Sequence, residues 1–267
     1  ERELGGDPDP YTREVVAGVG ARAGRRRVLV AKHGNKSRTG RGSAELLESL
    51  GVNVHATPEQ QSACLREAGV CFCFAVRHHP AARHAAVARQ ALGFPTIFNL
   101  LGPLTNPAGA ARQVTGVYRE DMAEKVAHAL AALGCERAMV VHSEDGLDEI
   151  SITAGTHAWD VLGGRVARRF ITLAEVESMG LSRATMEDVR AGDLTHASRM
   201  AEGVLRGDSS PAQGMVLLSA GAALLVGGAV DTLAEGVDAA AGAVRDGRAM
   251  AALERLRVVS HALVTAG

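Results

Sequence analysis

The sequence predicts an α/β fold in which a mostly parallel sheet is flanked by helices. Short runs of β-branched and apolar residues alternate with longer segments of helical periodicity over roughly the first half of the chain. An apolar run stops abruptly in the Gly-Pro and Asn-Pro turn chemistry of Phe98–Pro107, which fixes a loop. From Asp193 onward the pattern is almost entirely helical. No internal repeat or low-complexity linker interrupts this organisation.

The first half of the chain supplies the predicted strands and the helices between them. Strands are expected where β-branched or aromatic residues cluster between turn signals, and helices where apolar residues recur every three to four positions. The predicted strands are Val28–Ala31, Val52–Val54, Val70–Phe74, Val114–Val117 and Ala138–His142. The predicted helices are Ala44–Leu50, Glu59–Ala68, Ala81–Leu92 and Met122–Leu133.

The second half contains one β segment and one unusually apolar segment. Between Ser151 and Thr172 the residues alternate as in strands around a Gly163-Gly164 turn, which predicts an antiparallel hairpin. The stretch Gly214–Val230 is apolar, but it is shorter than the roughly 20 residues of a membrane span and contains glycines. Ser210-Pro211 before it is a helix start, so this stretch is predicted to be a buried helix.

Composition narrows the class of protein. With 267 residues, 46% hydrophobic content and a net charge of −1, the chain can bury a large core and has no general basic surface for nucleic acid. Aromatic residues make up only 3%, which disfavours a base-stacking surface. No nucleic-acid or membrane partner is expected. The four cysteines form no paired CxxC motif, which favours reduced thiols and a cytoplasmic location.

Two polar segments carry the residue types that phosphate chemistry requires. Lys32-His33-Gly34-Asn35 follows a predicted strand, at the edge where open α/β sheets place ligands. Asp148 and Glu149 follow the turn at Gly146, and adjacent carboxylates suit Mg²⁺ that is held together with substrate phosphates. Taken singly, the acidic pair is more often a solvated turn, and the Lys-His pair is more often a polar strand exit.

Two basic segments are further candidates. The small and basic stretch 37–43 leads into a helix, so its N–H groups and hydroxyls could bind a diphosphate, or it could be a solvated loop. His78-His79-Pro80 precedes an amphipathic helix that carries Arg83, His84 and Arg89. The alternative for that helix is a solvated basic face.

Three segments in this order, Lys32–Asn35, Phe98–Pro107 and Glu144–Ser151, resemble the anthranilate phosphoribosyltransferase family. The resemblance runs from Gly5 to the C-terminus and is strongest between Lys32 and Ser151. It implies transfer of a phosphoribosyl group from 5-phosphoribosyl 1-diphosphate to the amine of anthranilate, with release of pyrophosphate. It also implies Mg²⁺ as cofactor, a homodimer, and no covalent enzyme nucleophile.

The resemblance assigns individual residues and a domain division. Arg89 would meet the anthranilate carboxylate, a role that suits a planar guanidinium. The implied donor-binding residues are Gly5, Gly6, Asp7, Lys32, Arg41 and Ser43; the implied acceptor-binding residues are His33, Asn35, His79 and Arg89; the implied metal ligands are Asp148 and Glu149. The α/β domain would comprise 1–77 and 94–267, with 78–93 crossing into a small helical domain that is largely missing from this sequence.

One segment departs from the family pattern. The family has Gly-Thr-Gly-Gly-Asp followed by Asn-x-Ser-Thr, whereas this chain has Glu3-Leu4-Gly5-Gly6-Asp7 and places Tyr11 and Arg13-Glu14 at the second element. Three explanations compete: a paralogue with another donor or acceptor, such as a nucleoside phosphorylase-like enzyme; a replacement grip by Thr12 and Arg13; or a non-catalytic homologue that binds a small anion or a partner protein. The intact metal and acceptor motifs favour the second.

Overall fold

The computed structural model describes residues 27–36, 42–80, 101–102 and 104–263. The strands are β1 (Val30–Gly34), β2 (Val70–Phe74), β3 (Arg112–Gly116), β4 (Arg137–Ser143), β5 (Thr156–Leu162) and β6 (Arg165–Ile171). The helices are α1 (Ser43–Ser49), α2 (Pro58–Ala68), α3 (Ala75–His78), α4 (Glu120–Ala132), α5 (Leu173–Ser178), α6 (Met186–Val189), α7 (Leu194–Arg206), α8 (Pro211–Gly227), α9 (Leu233–Arg245) and α10 (Arg248–His261). The predicted helix Ala81–Leu92 lies outside the described residues, and the predicted domain division stays a prediction.

The strands form a mixed arrangement. β1 and β2 pair in parallel, with Lys32 opposite Phe72, and β3 pairs in parallel with β4. β4, β5 and β6 then pair antiparallel, and the β5–β6 turn falls at Gly163-Gly164 as predicted. The α/β class is therefore confirmed, although the strands form two sheets, a parallel pair β1–β2 and a mixed four-stranded sheet β3–β4–β5–β6, rather than one mostly parallel sheet.

The predicted strand at Val52–Val54 is wrong. These residues form the connection between α1 and α2, and both valines are buried. The intervening Asn53 binds α10 instead of a strand: its N–H donates to Ser260 Oγ and its side-chain amide donates to the Ser260 carbonyl, each at 3.0 Å. Because the partner groups come from a helix, the apolar alternation here reflects loop burial and not a β ladder.

Strand β4 lies between two hydrophobic cores. Successive side chains of a strand point to opposite faces. Ala138 and Val140 accordingly pack into a core covered by α4, while Met139 and Val141 pack into the larger core that includes α8. The carboxyl end of β4 leads directly into Glu144–Ser151, which we call the acidic segment. This segment therefore follows a strand that is packed on both faces.

Helix α8 is buried along most of its length, as its composition predicted. Ser210 caps it by accepting the Gln213 N–H, and Pro211 is its first residue. Against α9 the two backbones nearly touch, since a Cβ on Gly236 would lie 2.4 Å from the Gly221 carbonyl oxygen. Among the described residues no single helix is long and apolar enough to cross a membrane; α7 and α8 pass that test only as a pair bent by 67°.

The four cysteines are buried and free. Cys71 and Cys73 share a face of β2 as predicted, with their sulfurs 3.9 Å apart. Burial raises the pKa of Cys64 to about 11, which keeps that thiol protonated and unreactive near neutral pH. The cytoplasmic location stays a prediction.

Candidate active site

One large cavity, of about 1450 Å³, extends along the full length of β1 and β3, including their carboxyl ends. Its wall includes candidate residues from both polar segments that the sequence singled out and from the His78–Pro80 segment. These are Lys32, His33, Asn35, His79, Asp148 and Glu149. Ser43 begins α1 and does not itself line the cavity; its Cβ lies 3.9 Å from the place of a Cβ built on Gly34, which does line it. Gly5, Gly6, Asp7, Arg41 and Arg89 lie outside the described residues.

Two histidines from distant parts of the chain meet in this cavity. The Nε2 atoms of His33 and His79 lie 3.2 Å apart, and the rings meet edge to face. His33 Nδ1 lies 3.1 Å from the Gly102 carbonyl oxygen, which can only accept, so Nδ1 carries the proton. Neutral His33 therefore accepts at Nε2 from the Nε2–H of His79. The pair has one defined hydrogen-bond direction when both rings are neutral.

The surroundings keep His33 neutral. Burial lowers the pKa of His33 below its ordinary value of 6.5, an effect that the Gly102 hydrogen bond only partly opposes. The charges of His79, His78 and Lys32 add to the lowering. The pKa of His78 is lowered as well, first by burial and then by its neighbours His79 and Arg77.

A buried glutamine that sequence reasoning missed holds the turn that carries His79. Gln61 is 6% exposed, and its Nε2 donates to the Ala56 carbonyl at 2.9 Å, which fixes the amide orientation. Its Oε1 then accepts from His78 Nε2 at 3.0 Å and from the Cys73 thiol at 3.5 Å. A lone glutamine on an amphipathic helix gives no sequence signal of such a role.

The Thr105-Asn106-Pro107 end of the loop that the sequence predicted is tied to β1. Asn106 donates its side-chain amide to the Ala31 carbonyl at 3.1 Å and accepts the Ala108 N–H at 3.0 Å. The Thr105 hydroxyl donates to the Leu101 carbonyl at 2.9 Å. Thr105 and Asn106 both line the cavity, so this loop forms the part of the cavity wall next to Lys32. Residues 98–100 of the motif lie outside the described part of the chain.

The acidic segment is braced from within by Asp145. Its Oδ1 accepts the Leu147 N–H at 3.1 Å, and its Oδ2 accepts the hydroxyls of Ser151, at 2.7 Å, and Thr153. Since its carboxylate is engaged by three donors of the same loop, Asp145 shapes the loop. Asp148 and Glu149 remain the carboxylates of the segment that line the cavity.

A close backbone approach sets the position of these two carboxylates. A Cβ on Gly116, the last residue of β3, would lie 1.7 Å from the Asp148 carbonyl oxygen, so only glycine fits there. Leu147 and Ile150 on either side are buried and anchor the loop, while Asp148 is exposed and Glu149 is 4% exposed. The two carboxylates thus stand at fixed positions beside the end of β3.

Within the described ranges, no group of three or more His, Cys, Asp or Glu side chains is arranged to hold a metal ion by itself. Mg²⁺ prefers six oxygen ligands and commonly takes one or two carboxylates, with phosphates and waters completing the set. Asp148 and Glu149 match that pattern of shared coordination. The chemistry of this donor set therefore fits a metal that arrives with a phosphorylated substrate.

Comparison with known proteins agrees with this geometry. A family described as "Glycosyl transferase family, a/b domain" matches residues 13–250. An anthranilate phosphoribosyltransferase of Thermomicrobium roseum is 47% identical over 254 residues, which cover 94% of this chain and 71% of that protein. One from Methylorubrum populi is 48% identical over 236 residues, 88% of this chain and 69% of that protein.

The chain belongs to the anthranilate phosphoribosyltransferase family. The solved anthranilate phosphoribosyltransferase of Thermus thermophilus shares 39% identity with a TM-score of 0.83, covering 94% of this chain and 72% of that one. The Saccharomyces cerevisiae enzyme, solved in complex with PRPP and Mg, has the same fold at 23% identity and a TM-score of 0.81, covering 94% and 69% of the two chains. The family resemblance and the pentosyltransferase class are confirmed.

Proposed function

We propose that this protein transfers the phosphoribosyl group of 5-phosphoribosyl 1-diphosphate to the amine of anthranilate. The observation that carries the proposal is the shared cavity: the cation Lys32 and the carboxylates Asp148 and Glu149 line the same space as His33, Asn35 and His79. A transferase needs both substrates in one closed space because the reacting atoms must approach to about 3 Å. Family membership supports the same reaction.

Mg²⁺ is the proposed cofactor, with Asp148 and Glu149 as its protein ligands. When bound, it would supply positive charge that neutralises the leaving diphosphate. The fixed loop, with Gly116 against Asp148, would hold both carboxylates in place before the substrate arrives. Preorganised ligands lower the cost of reorganisation during the reaction.

The protein's own residues divide the remaining work between the two substrates. Lys32 would attract the phosphates of the donor, and His33, His79 and Asn35 would orient the acceptor in the adjoining part of the cavity. In the reaction the bond from ribose C1 to the diphosphate oxygen breaks, the bond from C1 to the anthranilate nitrogen forms, and the amine loses one proton. No covalent bond to the enzyme is needed. The roles given to Gly5, Gly6, Asp7, Arg41, Ser43 and Arg89 remain predictions from the family pattern.

The deciding experiment follows the loss of anthranilate fluorescence with donor and Mg²⁺ present. Consumption that stops when Mg²⁺ is chelated supports the proposal. If anthranilate is not consumed but a nucleoside is cleaved by phosphate, the nucleoside phosphorylase-like alternative is correct. If neither reacts, the altered Tyr11–Glu14 segment, which lies outside the described residues, explains a non-catalytic homologue. The proposed homodimer is tested separately by light scattering.

A further inference from the structure

Ser219 of α8 is a buried hydroxyl with no hydrogen-bond partner. The residue is 6% exposed, and within the described part of the chain its Oγ is the one buried side-chain oxygen or nitrogen that lacks a partner. Other buried serines behave differently: Ser260 Oγ accepts the Asn53 N–H and donates to the Arg257 carbonyl. Ser219 is also one of the residues that line the large cavity.

The position of Ser219 on α8 places it near the acidic segment. Residues 219, 223, 226 and 227 all line the cavity, a spacing that puts them on one face of a helix. One turn before Ser219 on that face, the Met215 sulfur accepts the Ile152 N–H at 3.4 Å, directly beyond Ser151 of the acidic segment. Of the α8 residues that line the cavity, Ser219 is therefore the nearest along the helix to the contact between Met215 and Ile152.

Burial of an unpaired hydroxyl destabilises a folded protein, and serine forms helices less well than alanine. The neighbouring positions of α8 are filled with alanine, leucine, valine and glycine, none of which carries this cost. A serine at 219 gains a compensating interaction only when a polar ligand in the cavity supplies the missing partner. The ligand group must accept a hydrogen bond from the Ser219 hydroxyl, at the end of this helix face that is nearest to the acidic segment.

We propose that Ser219 is a further donor-binding residue, whose Oγ–H donates a hydrogen bond to an oxygen of the diphosphate group. The inference rests on the proposed function, since it places the diphosphate beside Asp148 and Glu149. A diphosphate carries several anionic oxygens, and hydrogen bonds from a neutral donor to a charged acceptor are among the stronger ones. In the absence of the ligand the unpaired hydroxyl lowers the stability of the fold.

The test is calorimetric titration of Ser219→Ala with inorganic pyrophosphate in the presence of Mg²⁺, paired with thermal unfolding of the ligand-free protein. We expect the Kd for pyrophosphate to rise about tenfold, with the Kd for anthranilate unchanged. The melting temperature of the ligand-free variant should stay equal or rise, because the variant removes an unpaired polar group. A residue with a purely structural hydrogen bond would show the opposite pair of results.

Ser260→Ala is the matched control, since it removes an equally buried hydroxyl that does have partners. It should lower the melting temperature and leave the pyrophosphate Kd unchanged. If Ser219→Ala binds pyrophosphate as the wild type does, or loses stability as Ser260→Ala does, the inference about Ser219 is overturned. If the wild type itself shows no Mg²⁺-dependent pyrophosphate binding, the proposed function fails and the inference fails with it.

Discussion

The acidic segment and the histidine pair form the two halves of the cavity, and they are built in different ways. The acidic half comes from one continuous stretch whose loop is closed by its own side chains, with Asp145 accepting hydrogen bonds from three residues of that loop. The histidine half is assembled from four distant segments: His33 of β1, Gln61 of α2, the His78-His79 turn and Gly102. The acidic half, which we propose as the metal half, is thus held mainly by bonds within its own segment, with β3 packed against it at Gly116. The histidine half, which we propose as the acceptor half, is held by contacts between distant segments.

The largest expected effect comes from removing both acidic charges of the metal half. The double variant Asp148→Asn with Glu149→Gln should lower kcat/KM by a factor on the order of 100 or more, because charge stabilisation of the leaving group is lost. Because Glu149 is only 4% exposed, thermal unfolding of the variant is measured as well, so that loss of the metal ligands is separated from a loss of stability. Steady-state kinetics at varied Mg²⁺ measures the effect.

Glu144→Gln is the control for that variant, because Glu144 belongs to the same segment but is exposed and does not line the cavity. It should behave as the wild type. If the Mg²⁺ dependence of the double variant is unchanged, Asp148 and Glu149 do not bind the metal.

Gly116→Ala should be the next most damaging change. A Cβ there would collide with the Asp148 carbonyl oxygen at 1.7 Å, so the loop must move. We expect donor affinity to fall about tenfold or more and the protein to lose about 1–3 kcal/mol of stability. Gly192→Ala is the comparison, since its Cβ would meet only His196, at an ordinary 3.7 Å. A Gly116→Ala variant with wild-type donor affinity would show that the loop position does not matter for binding.

Asp145→Ala tests whether the hydrogen bonds that Asp145 accepts hold the acidic segment in the position that the metal half requires. It removes the acceptor of three hydrogen bonds, so the loop should become less ordered and stability should fall by about 1–3 kcal/mol. The Mg²⁺ concentration needed for half-maximal activity should rise several-fold, while the KM for anthranilate stays the same. Asp145→Asn keeps one acceptor oxygen and should recover part of the loss. A rise in the KM for anthranilate instead would mean that the two halves are not independent.

Gln61→Met makes the corresponding change in the acceptor half. The variant keeps the approximate side-chain volume but removes the oxygen that accepts the hydrogen bond of His78 Nε2. The turn before His79 therefore loses this anchor. We expect the KM for anthranilate to rise several-fold with little change in donor affinity. Calorimetric titration with each substrate separates the two. Equal weakening of both substrates would contradict a role confined to the histidine half.

The smallest effect concerns pH. His33 and His78 have lowered pKa values in the folded protein, so below about pH 6.5 the unfolded chain binds more protons than the folded one. Both histidines therefore contribute to a free energy of unfolding that falls as the pH drops from 6.5 towards their folded pKa values. Denaturant unfolding between pH 5 and 8 measures the slope, and His33→Gln should flatten it. An unchanged slope in that variant would place the titrating groups elsewhere.

The two halves also differ in how far the sequence predicts them. Asp148 and Glu149 were singled out because the continuous segment Glu144–Ser151 resembles the family motif, since the two carboxylates alone would indicate an exposed acidic turn. The α/β class and α8 followed from periodicity and the Ser210-Pro211 start. Gln61 and Ser219 gave no signal, and Gly102 was predicted only as part of a turn, because their roles arise from contacts between residues that are far apart in the chain. Val52–Val54 failed as a strand for the same reason, since α10 supplies the partners that a neighbouring strand would have supplied.

Helix α8 runs from the acidic segment to the residues just before β1 and fixes the distance between them. Near its start Met215 holds Ile152 behind the acidic segment, and at its end a Cβ on Gly227 would lie 2.7 Å from Val28, just before β1. Twelve residues of α-helix span about 18 Å and turn by a fixed angle, so the two ends cannot shift independently. A single inserted or deleted residue within α8 would rotate one end by about 100° relative to the other. Length variation among homologues should therefore collect in the surface connections and avoid this helix.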